Sequence, residues 1–183
     1  MKRNLDTQDF LKLLVVCVLA TGVSVVSAQR VGNTAPAFSA TGEWFNSPPL
    51  EVADLHGKVV LVNIWVYSCY NCYRSLPTLQ RWYQKYTDEG FEIVGVHTPE
   101  FASDKVVSNV KEALEREGVT WSVFQDNNAV TWRAYNNRVW PTFYLLDRQG
   151  TLRKVQQGEI SSVFPRGIKP LERAIEALLA ESP

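Results

Sequence analysis

From position 59 to position 66 the chain reads Val-Val-Leu-Val-Asn-Ile-Trp-Val, an apolar run broken only by Asn63. So short and continuous a run predicts a strand buried on both faces of a sheet. The period then changes. Leu76, Leu79, Tyr83 and Tyr86 recur at three- and four-residue spacing, which predicts a helix over about 69–88 with one buried face. Ser68 stands where an N-cap is expected, Pro77 is expected to kink the helix, and Gly90 to end it. Positions 91–96 read as a second strand. Ser103 is expected to cap a helix to about 117, with Val106, Val110, Ala113 and Leu114 facing inward and Gly118 stopping it.

Positions 121–124 suit a short strand, and 126–135 a turn with a short helix. Thr142–Leu146 and 151–155 flank Asp147-Arg148-Gln149-Gly150, the pattern of a β-hairpin with a four-residue loop. Leu171, Ala174, Ile175, Leu178 and Leu179 mark a C-terminal helix with Pro170 at its start. The stretch 29–49 is rich in Gly, Pro, Ser, Thr and Asn; it reads as an entry segment with at most short strands, anchored by Trp44 and Phe45. Strand–helix–strand–helix followed by a hairpin and a helix implies an α/β fold, with a mixed central β-sheet flanked by helices on both faces.

The first residues stand apart. Lys2, Arg3 and Lys12 precede an apolar run, and Val26-Ser27-Ala28 offers small residues before Gln29. This is the layout of a secretory signal over residues 1–28, leaving 29–183 as one domain. The run is short for a membrane span, which needs about 20 residues. An uncleaved anchor over 13–28 is the alternative, because Asp6 and Asp9 lie in a long leading region. No lipobox surrounds Cys17, which argues against a lipid anchor there.

Composition changes this picture little. Hydrophobic residues make up 45% of the 183 and charged residues 21%, with a formal net charge of zero. Nothing in that balance points to nucleic acid. Of three cysteines, only Cys69 and Cys72 lie beyond the leader. An exported domain with a single C-x-x-C uses it for something specific.

Cys69-Tyr70-Asn71-Cys72 falls where the buried strand becomes a helix. Unpaired N–H groups and the dipole at a helix N-terminus favour thiolate over thiol at Cys69. Cys69 is thus the candidate nucleophile and Cys72, one turn inward, the resolving thiol of a disulfide exchange. A zinc site lacks a second ligand pair, since the two histidines, His56 and His97, are far apart in sequence. A purely structural bridge across so short a loop would stabilise little. No metal and no cofactor is expected. His97 and Glu100 follow the second strand, whose C-terminal end shares a sheet edge with the dithiol, so both are candidates for proton transfer. Loop-shaping is the plainer reading of each.

The run 59–65, Cys69-Tyr70-Asn71-Cys72 and Pro77 resemble the thioredoxin superfamily. The stretches 65–77, 95–101 and Asn137-Arg138-Val139-Trp140-Pro141 are similar to TlpA/DipZ-like redoxins of bacterial envelopes. The resemblance implies a thioredoxin-like fold and a cis peptide bond at Pro141, facing the dithiol. It implies that the backbone of Trp140 pairs with an extended substrate; the Trp140 ring reads equally as an apolar wall for that substrate or as core packing, and Tyr70 and Asn71 read as rim. Asn63 stands where thioredoxin carries a buried acid, and no proline separates the cysteines, so proton handling and redox poise must differ. The implied activity is exchange of disulfides with exported protein substrates, in the periplasm or cell envelope, with electrons from a membrane-bound donor. Two alternatives remain open: a thiol peroxidase, against which Val66 replaces the threonine of a Thr-x-x-Cys site, and a copper or other metal chaperone using the same cysteines.

Overall fold

The computed structural model describes residues 31–181. The leader, with Cys17 and the proposed cleavage site before Gln29, lies outside the described residues. In chain order the elements are β1 (Trp44–Phe45), β2 (Val59–Trp65), α1 (Tyr70–Tyr86), β3 (Phe91–His97), α2 (Val107–Arg116), β4 (Ser122–Gln125), α3 (Val130–Ala134), β5 (Thr142–Leu146), β6 (Leu152–Gln157) and α4 (Ile168–Ala180). The strands form one mixed sheet in the order β1-β4-β3-β2-β5-β6. β2, β3 and β4 run parallel, whereas β5 lies antiparallel to β2, and β6 to β5.

β2 is central, and all seven of its residues are buried, as a run without alternation requires. Its side chains divide between two cores. Val59, Leu61 and Trp65 meet α1, α2 and α4 through Leu76, Leu79, Trp82, Val110, Leu114, Leu171 and Ile175. Val60, Val62 and Ile64 meet Leu55, Tyr135, Tyr144 and the half-buried Phe38, Trp44 and Trp132. Helices flank both faces, but unequally. The three long ones share a face because β2, β3 and β4 are successive neighbours, and right-handed crossovers put both connecting helices on one side. The short α3 and the entry segment cover the other. β1 is the short strand expected there; Trp44 packs into one core and Phe45 into the other.

Two expected caps are replaced. The N-cap of α1 is Cys69, and the Ser68 hydroxyl instead donates to Oδ2 of Asp104 at 3.0 Å. The 103–117 helix breaks into a 3-10 turn at Ala102–Lys105 and α2 from Val107, with Val106 as N-cap and 46% exposed rather than inward. The carboxylate of Asp104 caps the start of that turn: Oδ2 also accepts the backbone N–H groups of Glu100 (3.1 Å) and Phe101 (2.9 Å). Val110, Ala113 and Leu114 are buried as expected. Pro170 sits in the first turn of α4. Among the described residues no helix is long and apolar enough to cross a membrane.

Candidate functional site

The C-terminal ends of β2 and β3 lie side by side, with Trp65 paired to His97 in register. The chain leaves β2 through Val66-Tyr67-Ser68 and enters α1 at Cys69, whose carbonyl accepts the Tyr73 N–H at 3.0 Å. The first-turn N–H groups therefore have no partner within the helix and face the Cys69 sulfur. Cys69 is half-buried, Cys72 is 2% exposed, and both are free thiols.

Their environments separate them. The Cys69 thiol is lowered to about 6, chiefly by a hydrogen bond from the Cys72 side chain. The N–H groups of Cys72 and Asn71 add to that effect, while burial and the charge of Glu100 oppose it. Cys72 is raised well above the ordinary thiol range, first by burial and then by the same bond to Cys69. One sulfur is a thiolate at neutral pH and its neighbour holds its proton, the division of roles that thiol–disulfide exchange needs.

The Trp140–Pro141 peptide bond is cis. The Pro141 carbonyl accepts the Gly158 N–H at 2.8 Å, tying this loop to the end of β6. No hydrogen bond among the described residues occupies the backbone N–H or C=O of Trp140. Its ring lies 4.4 Å from that of Trp132 and packs against both cores. Tyr70 is 68% exposed and Asn71 is exposed, both on the rim of the dithiol.

His97 is fully buried, between the rings of Tyr67 (5.6 Å, stacked) and Trp65 (5.6 Å, edge-on). Its Nε2 accepts the Tyr67 N–H at 3.3 Å, and burial lowers its imidazolium to about 4. The expectation of proton transfer thus meets a neutral ring with no exposure that holds the turn before Ser68. Glu100 is exposed, and its charge opposes the thiolate at both cysteines. Asn63 is buried below them on the face shared with Cys72, and its Oδ1 has no hydrogen-bond partner.

Three supporting groups had no reading from the sequence. Asp104 links Ser68 to the loop after β3. Asp126 accepts the N–H groups of Val130 (2.7 Å), Thr131 (3.2 Å) and Trp132 (2.8 Å), anchoring the helix that carries Trp132 against Trp140. Glu159 pairs with Arg74 at 2.9 Å, and the Arg74 guanidinium lies over Tyr70 (5.4 Å) and Phe164 (5.8 Å). The spacing of each acid before a helical turn was a usable cap signal for Asp104 and Asp126; nothing local marks Glu159. Among the described residues no group of three or more His, Cys, Asp or Glu side chains is placed to hold a metal ion.

Comparison with known proteins agrees with this geometry. The model of the AhpC/TSA family matches residues 31–155. The protein DipZ of Mycobacterium bovis is 44% identical over 130 residues, 69% of this chain but 19% of its own length. The chain thus spans about a fifth of that relative. The thiol-disulfide oxidoreductase ResA of Geobacillus kaustophilus is 28% identical over 173 residues, covering 91% of this chain and 92% of the relative. Among solved structures, one described as a thiol:disulfide interchange protein DsbE from Chlorobium tepidum superposes with a TM-score of 0.71 at 26% identity, over 83% of this chain and 99% of that one.

Proposed function

We infer that this chain, which belongs to the AhpC/TSA family and has a thioredoxin-like fold, is a thiol–disulfide oxidoreductase acting on protein substrates through Cys69 and Cys72. The observation that carries the reading is the paired cysteine environment: a half-exposed thiol at about 6, donated to by a buried neighbour that keeps its proton. The Cys69 thiolate attacks one sulfur of a substrate disulfide. The substrate S–S bond breaks, a mixed disulfide forms, and one substrate thiolate leaves. Cys72 then attacks Sγ of Cys69, closing the Cys69–Cys72 disulfide and expelling the second substrate thiolate. Two electrons have passed to the substrate, and the Cys72 proton ends on the released thiol, with Glu100 as relay at the rim. Run backwards, the sequence oxidises a dithiol.

The substrate chain lies extended against the free backbone groups of Trp140, beside cis-Pro141, between the Trp140 wall and the Tyr70–Asn71 rim. His97 positions the Tyr67–Ser68 turn. The leader-like residues 1–28 support export to the periplasm or cell envelope, as a secreted domain or one anchored by 13–28, with a membrane-bound donor returning electrons to Cys69–Cys72.

The test is trapping. In a Cys72→Ser variant the second step has no nucleophile, so substrates accumulate on Cys69 as mixed disulfides, visible as reductant-sensitive adducts in mass spectrometry. No adduct on incubation with a disulfide-bonded protein overturns the reading. Rapid consumption of hydrogen peroxide by the wild type, without reduction of disulfides, favours the peroxidase alternative instead.

A further inference from the structure

A groove of about 690 Å³ opens beside the dithiol, running from Asn71 along Gln156, Gly158 and Glu159 to Phe164 and Arg166. One wall is β6, an edge strand whose only strand neighbour among the described residues is β5 and whose first residue, Leu152, is also bonded to Gly32 and Asn33. Beyond Leu152 no strand among the described residues lies along its outer edge, where the Gln157 carbonyl accepts the Gln156 side-chain amide at 2.7 Å, and such an edge suits a chain laid alongside. At its far end Arg166 also borders a second depression with Lys169 and Arg173. These three occupy i, i+3 and i+7, one face of α4 and the turn leading into it. All three are exposed, and among the described residues none makes an ion pair. Arg173 Nε does donate to the Lys169 carbonyl at 3.4 Å.

The carboxylate in the groove itself does not offset them. Glu159 is almost wholly buried and already engaged by Arg74 and by the Ser161 hydroxyl. The exposed Glu100, whose charge reaches both cysteines, is not among the residues lining the groove. The far end of the groove is therefore positively charged in a chain whose formal net charge is zero.

We propose that this groove seats an extended stretch of the protein substrate that carries acidic side chains on the α4 side of its reacting cysteine. The proposal rests on the reading that Cys69 attacks protein disulfides, and it assigns that site its substrate class. The Val163–Phe164 rim covers the apolar part of the stretch, the edge of β6 takes its backbone, and Arg166, Lys169 and Arg173 meet its carboxylates. Opposite charges facing each other across an interface raise encounter rates and reject like-charged partners.

Binding and chemistry are read separately. Synthetic peptides with one central residue flanked by glutamates, serines or lysines are made in two forms, with serine or with a disulfide-linked cysteine at the centre. Fluorescence anisotropy with the serine forms gives affinity without any exchange. The expected result is about tenfold tighter binding of the glutamate peptide than of the lysine peptide, shrinking as salt rises. Arg166→Gln, Lys169→Gln and Arg173→Gln together remove that preference, while reduction of the neutral hydroxyethyl disulfide keeps its wild-type rate. Equal affinities for the three peptides, or a preference that survives the triple substitution, overturns the groove. Preferential binding of the glutamate peptide without exchange of its disulfide form overturns the oxidoreductase reading and leaves the groove standing.

Discussion

The two ends of the central sheet are built to different standards. At the hairpin end nearly every polar group is matched. Asp147 accepts the N–H groups of Gln149 (3.0 Å) and Thr151 (2.9 Å) and meets Arg153 at 3.2 Å. Arg148 reaches the carbonyls of Gly57 and Leu179, stapling the hairpin to the loop before β2 and to α4. Gly150 turns the chain with φ +75°, where a side chain would be strained. At the dithiol end, Trp65 Nε1, His97 Nδ1, Asp104 Oδ1, Trp140 Nε1 and Glu159 Oε2 are all buried without a partner. Buried polar groups are ordinarily paired, and each exception weakens the local structure. One end holds the fold together; the other gives up part of that stability to keep a neutral imidazole, an unpaired backbone and a reactive sulfur in place.

This contrast can be broken most sharply at Cys69. Cys69→Ser is expected to lower disulfide reduction by at least about 10³-fold, since the attacking thiolate is gone. The same substitution should leave the thermal midpoint within about 2 °C of wild type, because the side chain is half-exposed and serine is itself a good N-cap for the same first-turn N–H groups. In the wild type, iodoacetamide should modify Cys69 with a pH midpoint near 6. A midpoint near that of a free thiol would remove the electrostatic distinction between the cysteines.

The next effect lies at His97. Its folded value of about 4 is below the ordinary 6.5, so below pH 6.5 the unfolded chain binds more protons than the folded one. The His97 contribution to stability should be flat above about pH 7 and fall as pH drops from 6.5 towards 4, by about 3 kcal/mol in all. Urea titrations across that range measure it, and His97→Asn should remove this part of the slope. A smaller change at the opposite end sharpens the comparison. Asp147→Ala removes the acceptor of the N–H groups of exposed Gln149 and half-buried Thr151 and should cost about 1 kcal/mol, with no change in disulfide-reduction rate. A fall in rate equal to that of a change beside the dithiol would show that the two ends are not separable.

Sequence and fold agree most closely where periodicity is strong. The continuous run in β2, the stepped leucines of α1 and the Asp-Arg-Gln-Gly hairpin each specify an element through local chemistry, since burial on two faces, burial on one face and a tight turn demand different patterns. The pairing of Cys69 with Cys72 was equally legible, because three-residue spacing in a first helical turn brings the sulfurs together in any context. The start of α2 was not: Ser103 is a good cap by type, but the helix begins at Val107, after a 3-10 turn whose Asp104 takes the hydroxyl of Ser68 from a distant part of the chain. Long-range partners of this kind leave no mark in a local window.

By itself, then, the order of residues along this chain determined most of its elements, its α/β class and the nearness of the two cysteines at the start of α1. Only the tertiary structure decided that Ser68 serves Asp104 rather than the helix, that His97 is sealed between two rings, and that Glu159 reaches Arg74 of α1 from a distant part of the chain. The reason is physical. Periodicity and turn chemistry act between residues a few positions apart, whereas burial, charge and hydrogen-bond partnership depend on which distant segments the closed sheet brings side by side.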